Sequence, residues 1–180
     1  MRKALYFGSF NPVHYGHVSI AQYAASMEEI DAVVIIPSPH NPFKDKSILA
    51  DPLLRLRQVR QAFEGISPKI TVSDIEYRLP EPLYTINTLH TIQEEEPGND
   101  LILLIGADNI AGIERWYKGT QILREFDIWV YPRNGYDGAA LCRECSERTC
   151  ARHVRFLEGA PLLDISSTRI RSQLNKNQIP

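Results

Sequence analysis

No apolar run in this chain comes near the ~18 residues that a membrane-crossing helix requires, and no early apolar stretch of signal-peptide type is present. A membrane-spanning reading is thereby excluded, and the cytoplasm is the expected home. Charge of one sign is also lacking: 20 Lys and Arg stand against 22 Asp and Glu, a formal net charge of -2. That balance gives no general pull toward nucleic acid or an anionic membrane, although it allows positive charge to gather locally. Internal repeats, low-complexity tracts and long linkers are missing too. Cysteine is scarce, with 3 residues, all between positions 142 and 150. A disulfide framework is therefore a poor expectation for a chain of this compartment. At 180 residues the chain suits one domain, 1–180, with a hydrophobic core of ordinary size.

What the chain does have is a series of short apolar runs rich in branched and aromatic residues. Ala4–Phe7, Ala32–Ile36, Ile70–Val72, Leu101–Ile105 and Asp127–Tyr131 read as buried strands. Helical stretches separate them: His17–Met27, Pro52–Phe63, Thr85–Glu95 and a patch at Gln121–Arg124. Asp51 followed by Pro52 is a strong local start signal for the second helix. Strands alternating with helices predict an α/β fold, a single Rossmann-like parallel sheet with helices on both faces. In such sheets ligands sit beyond the carboxyl ends of the strands.

The segment placed there by the first strand is Gly8-Ser9-Phe10-Asn11-Pro12-Val13-His14-Tyr15-Gly16-His17. On a forming helix His14 and His17 share one face, one turn apart. A helix start offers unpaired N–H groups and a positive dipole end, so imidazole donors there suit a phosphate. Zinc binding is the competing reading of two such histidines, but the HExxH spacing and its general base are absent. Two idle surface histidines are the plainest alternative.

A second segment, Ile165-Ser166-Ser167-Thr168-Arg169-Ile170-Arg171, sits far down the chain. Its hydroxyls precede an Ile/Leu pattern, as at a helix N-cap, and Arg171 brings a planar fork matched to phosphate. Alone it would be a Ser-capped terminal helix with solvated arginines. Taken with His14 and His17 it predicts a pincer, closed from both ends of the chain on the triphosphate of a nucleotide.

These segments resemble the (G/T)xFxPxHxGH and ISSTxIR motifs of the HxGH nucleotidyltransferases. Three further segments narrow the resemblance to the bacterial nicotinate-nucleotide adenylyltransferases. They are Pro39-His40-Asn41-Pro42-Phe43-Lys44, Tyr84-Thr85-Ile86-Asn87-Thr88-Leu89, and Ile105-Gly106-Ala107-Asp108 followed by Trp116-Tyr117-Lys118. The similarity runs in order from Leu5 to about Leu174. Phe7 departs from it, standing where the family usually has the first of two glycines. Asn11 and Asn87 each replace an Asp, and Asn11 retains the acceptor a loop needs. The closing helical tail of the family is largely lacking after Leu174.

The resemblance implies adenylyl transfer from ATP to nicotinate mononucleotide, giving the dinucleotide precursor of NAD and pyrophosphate. It assigns catalysis to His14, His17, Lys44 and Arg171. Gly8, Ser9, Phe10, Gly106, Asp108, Ile165, Ser166, Ser167 and Thr168 would hold ATP, and Thr85, Trp116, Tyr117 and Arg133 the pyridine substrate. Mg2+ would arrive with the nucleotide and need no carboxylate cage of its own. Each of these residues has a duller role open to it. Lys44 can be a solvated loop lysine, Asp108 and Thr85 helix caps, Trp116 and Tyr117 core aromatics, Arg133 a strand-end charge. Nicotinamide mononucleotide or another phosphorylated acceptor is the nearest alternative substrate, and a non-catalytic nucleotide- or zinc-binding module the more distant reading. A homo-oligomer is left open.

The cysteine segment carries two incompatible readings. Cys142, Cys145, Cys150 and His153 have the spacing of a small zinc knuckle. The same positions also fall on one side of an ideal helix, whose rise of about 16 Å over eleven residues is too long for one tetrahedral ion. Reduced cysteines on a helix are the default expectation, structural Zn(II) the alternative.

Overall fold

The computed structural model describes residues 1–40, 50–162, 165 and 167–176. Six strands form one sheet: β1 (Arg2–Gly8), β2 (Ala32–Pro37), β3 (Ile70–Val72), β4 (Asp100–Gly106), β5 (Asp127–Tyr131) and β6 (His153–Phe156). Their order is β3-β2-β1-β4-β5-β6, and every neighbouring pair is parallel. Helices α1 (Tyr15–Ser26), α2 (Pro52–Phe63), α3 (Thr85–Glu95), α4 (Ala107–Ile110), α5 (Gly119–Glu125), α6 (Gly138–Arg148) and α7 (Ser167–Lys176) connect and follow the strands. This is the doubly wound order, whose direction of winding reverses between β1 and β4.

Two apolar layers explain the continuous runs in the sequence. On one face Ala4, Tyr6, Ile102, Leu104 and Trp129 pack against Ile20, Ala21 and Ala24 of α1 and Val59 and Phe63 of α2. On the other, Leu5, Leu101, Leu103, Ile105 and Ile128 meet Ile86 and Leu89 of α3, Ile122 and Leu123 of α5, and α6. Successive residues of β4 therefore point to opposite cores, and both must be apolar.

The five expected strands are found, each with bounds within about two residues. The sixth, β6, lies outside those expectations; it is four residues long and only partly buried at the sheet edge. Asp51 caps α2 as read, accepting from the Leu54 N–H at 2.8 Å, with Pro52 in the first turn. Thr85 is not a cap: Tyr84 holds that position and Thr85 opens α3.

The zinc reading is overturned. Asp137 caps α6, which buries Cys142 and Cys145 in the second core and ends at Arg148. Cys150 is exposed beyond the helix end, and His153 starts β6. Among the described residues no group of three His, Cys, Asp or Glu side chains is placed to hold a metal ion. Burial pushes the Cys142 thiol up to about 11. The helical reading of the cysteines holds for Cys142 and Cys145 only.

Candidate active site

The carboxyl ends of β1 and β4 open into a cavity of about 580 Å³ at the point where the winding reverses. Its nucleus is the β1–α1 loop. Phe10 is buried there with φ +43, a left-handed conformation uncommon for a bulky residue and concentrated at functional sites. His14 is the N-cap of α1, and its backbone N–H donates to Nδ1 of His17 at 3.2 Å. A neutral His17 ring so engaged carries its proton on Nε2 and is thus a donor there. The two imidazoles stack at 3.8 Å, and His17 meets the Phe10 ring edge-on at 4.8 Å.

Burial, and after it the Arg133 cation, lowers the His14 pKa to about 4, so this ring is neutral near pH 7. Its Nδ1 is buried without a protein partner. Gly16 is required between the histidines. A Cβ at this position would lie 2.8 Å from Cγ2 of Ile165 and 3.0 Å from the His14 ring. The glycine lets the far end of the chain close onto the start of α1.

That closure is visible in hydrogen bonds. Ser167 donates to the Pro12 carbonyl at 2.9 Å, and Arg171 to the Asn11 carbonyl and, at 3.1 Å, to Oγ1 of Thr168. Ile165, Ser167 and Thr168 share the cavity wall with His14 and His17. Arg171 itself braces the loop and is not on that wall. Asn11 keeps the acceptor role its side chain suggested, taking the Ala50 N–H on Oδ1 at 3.3 Å.

Across the cavity, Asp108 and Arg133 pair at 3.4 Å. Gly106 permits this pairing, since its Cβ would fall 2.3 Å from Oδ1 of Asp108 and 3.0 Å from Cγ of Arg133. The far half is aromatic. Trp116 and Tyr117 are carried by a tight turn in which Lys118 has φ +54 and a Cβ on Gly119 would overlap the Ile113 carbonyl at 1.8 Å. Tyr117 stacks on Tyr84 at 4.2 Å, with Thr85 beside them on the wall.

A cytidylyltransferase-like family model matches residues 5–173. The chain is 39% identical over 181 residues to a "probable nicotinate-nucleotide adenylyltransferase" of Flavobacterium psychrophilum, covering 99% of this chain and 90% of that one. The Bacteroides fragilis protein of the same name is 39% identical, over 96% of this chain and 82% of its own length. The chain belongs to the nicotinate-nucleotide adenylyltransferase family. The nicotinic acid mononucleotide adenylyltransferase of Plasmodium falciparum, solved as a complex with NaAD, has the same fold. It superposes with a TM-score of 0.80 at 18% identity, covering 95% of this chain and 82% of that chain.

In this adenylyltransferase-family chain Gly8, Ser9, Phe10, His14, His17, Thr85, Asp108, Trp116, Tyr117, Arg133, Ile165, Ser167 and Thr168 all line the one cavity. Gly106 and Arg171 are not among its lining residues, and Lys44 and Ser166 lie outside the described residues. Several wall residues were not read from the sequence. Phe7 is one of them. Tyr6 donates to the hydroxyl of Tyr131 at 3.4 Å in a buried pair whose pKa values burial raises. Glu76, 2% exposed, accepts from Thr88 at 2.9 Å and is also hydrogen-bonded by Ser38. Burial raises its pKa. Tyr84 stood within a quoted motif, and its stacking partner was the missing signal. Nothing in the sequence marked Glu76, because a polar residue in a short turn carries no periodicity.

Proposed function

We propose that this chain transfers the adenylyl group of Mg·ATP to nicotinate mononucleotide. The observation that carries this reading is the meeting of the two chain ends, His14 and His17 with Ile165, Ser167 and Thr168, around one cavity whose other half is aromatic. A phosphate oxygen of the mononucleotide attacks the α-phosphorus, the bond to the bridging α,β oxygen breaks, and pyrophosphate leaves with its electron pair. The attacking phosphate is already ionised, so no protein nucleophile or strong base is needed. The difficulty lies in bringing two anions together and holding them in line. The proton on Nε2 of His17, the neutral ring of His14 and the amides at the start of α1 meet charge as it develops on phosphate oxygens. Ser167 and Thr168 grip the triphosphate, and Lys44, Ser166 and Arg171 complete this half. Asp108 and Gly106 serve the adenosine, while Trp116, Tyr117, Thr85 and Arg133 hold the pyridine nucleotide.

The reading takes residues 1–180 as a single catalytic domain working in the cytoplasm on two small anionic substrates. Among the described residues no helix is long and apolar enough to cross a membrane. The test is pyrophosphate release from Mg·ATP with nicotinate mononucleotide, nicotinamide mononucleotide and phosphopantetheine supplied separately. Release fastest with the nicotinate compound is expected; release with phosphopantetheine alone contradicts the assignment. In the same assay His17→Ala lowers turnover by on the order of 10²–10³, the cost of one transition-state donor.

A further inference from the structure

Arg55 of α2 is a fully buried cation, 0% exposed, and among the described residues its hydrogen-bond partners are backbone carbonyls. Its Nη1 donates to the Ser9 carbonyl at 2.6 Å and the Ser38 carbonyl at 2.9 Å. Nη2 donates to Pro39 at 2.7 Å, and Nε to Ala50 at 3.0 Å. Ser9 belongs to the loop after β1, and Ser38 and Pro39 follow β2. One guanidinium therefore clasps the strand-end loops of two neighbouring strands, with bonds of the stronger, charge-assisted kind. An apolar side chain could fill this volume, so packing alone does not account for a buried charge that is costly to desolvate.

The direction of these bonds matters for the cavity. The Ser9–Phe10 peptide is trans, since the cis peptides are Asn11–Pro12 and Glu81–Pro82. In a trans peptide the C=O and N–H point to opposite sides. With the Ser9 carbonyl drawn toward Arg55, which is not on the cavity wall, the Phe10 N–H faces the other way, and Ser9 and Phe10 both line the cavity. The left-handed turn at Phe10 is held in the same act. A carbonyl turned to the cavity at this point would repel a phosphate; an amide polarised by a charged partner attracts one.

We infer that Arg55 is a positioning residue for the triphosphate. It anchors the loops after β1 and β2 so that the strand-end peptide presents its N–H to phosphate oxygens. The inference rests on reading the cavity as a nucleotide-phosphate site, and it asks for a guanidinium specifically. A lysine supplies charge from a single nitrogen and cannot span four carbonyls.

Three arms test it. In the parent protein, titration with inorganic triphosphate shifts the amide resonance of Phe10; an unmoved Phe10 amide overturns the inference without any variant. Arg55→Lys retains the cation and loses the fork. It is expected to bind inorganic triphosphate more weakly and to lower kcat by on the order of 10²-fold, the scale of a misplaced ground for an in-line reaction. Its thermal unfolding is recorded beside both, and turnover loss that merely follows the unfolded fraction, with triphosphate affinity at the parental value, overturns the assignment. In Arg55→Ala, millimolar guanidinium restores part of the lost turnover, and absence of rescue in folded protein counts against a positioning role. Because inorganic triphosphate reports on Arg55 without an acceptor substrate, failure of the acceptor assignment leaves this result readable.

Discussion

Single residues set the chemistry of the cavity, and His14 shows how. Its ring keeps its neutral form in the folded chain down to about pH 4, whereas unfolded it takes up a proton near 6.5. Between those values the unfolded chain binds more protons, so His14 makes stability fall as pH drops from 6.5 toward 4, with the loss complete below. Glu76 acts with the opposite sign, because its raised pKa favours the folded state at low pH and loses that favour as pH rises through it. The difference between parent and His14→Asn therefore isolates the imidazole. The urea midpoint of the variant is expected to decline less across that interval than the parent's. Equal declines would show that the ring is not held neutral by its surroundings. Chemistry of this kind was partly legible in the sequence. His14, His17 and Arg171 announced themselves by spacing, but the burial that neutralises His14 comes from contacts no local pattern records. Glu76 and Arg55 were silent for the same reason: their partners lie on other elements.

At the scale of elements, the site depends on how closely α7 can approach the start of α1. Gly16 is the clearance between them. Gly16→Ala would place a methyl 2.8 Å from Ile165 and 3.0 Å from the His14 ring, so one of the two must shift. The expected result is a raised KM for ATP and a lower kcat with a thermal transition close to the parent's, measured by steady-state kinetics beside thermal unfolding. Unchanged kinetics would mean that the approach of Ile165 does not matter to the phosphates. Elements were the most readable level. β1, β2, β4 and β5 are unbroken apolar runs because both faces of the sheet are covered, and Asp51-Pro52 announced α2. Edge strand β6 escaped notice because His153 and Arg155 interrupt its apolar pattern and it pairs on one side only. The cysteine segment misled for a different reason. Spacing is shared by a zinc knuckle and a helix flank, and only the end of α6 at Arg148, before Cys150, separates them.

The whole molecule keeps binding and bracing apart. At the amino ends of the strands, nearly buried Asp127 pairs with Arg2 at 3.2 Å and Arg152 at 3.1 Å, and the same two arginines reach Asp100. Arg2 and Arg155 also lie over the Trp129 ring at 5.7 and 5.1 Å. This charged base ties β1, β4, β5 and β6 together far from the cavity. At the carboxyl ends there is instead a space edged by imidazoles, hydroxyls and aromatic rings, placed where the winding reverses. The order of strands makes that position available, and the motifs after β1 and β4 occupy it. The claim on which everything turns is that this space breaks ATP between its α and β phosphorus atoms. Phosphorus NMR of a reaction with Mg·ATP and nicotinate mononucleotide reads that bond directly. Pyrophosphate and a dinucleotide diphosphate resonance should grow together in equal amounts. Growth of inorganic phosphate with ADP, or a spectrum that never changes, would contradict it.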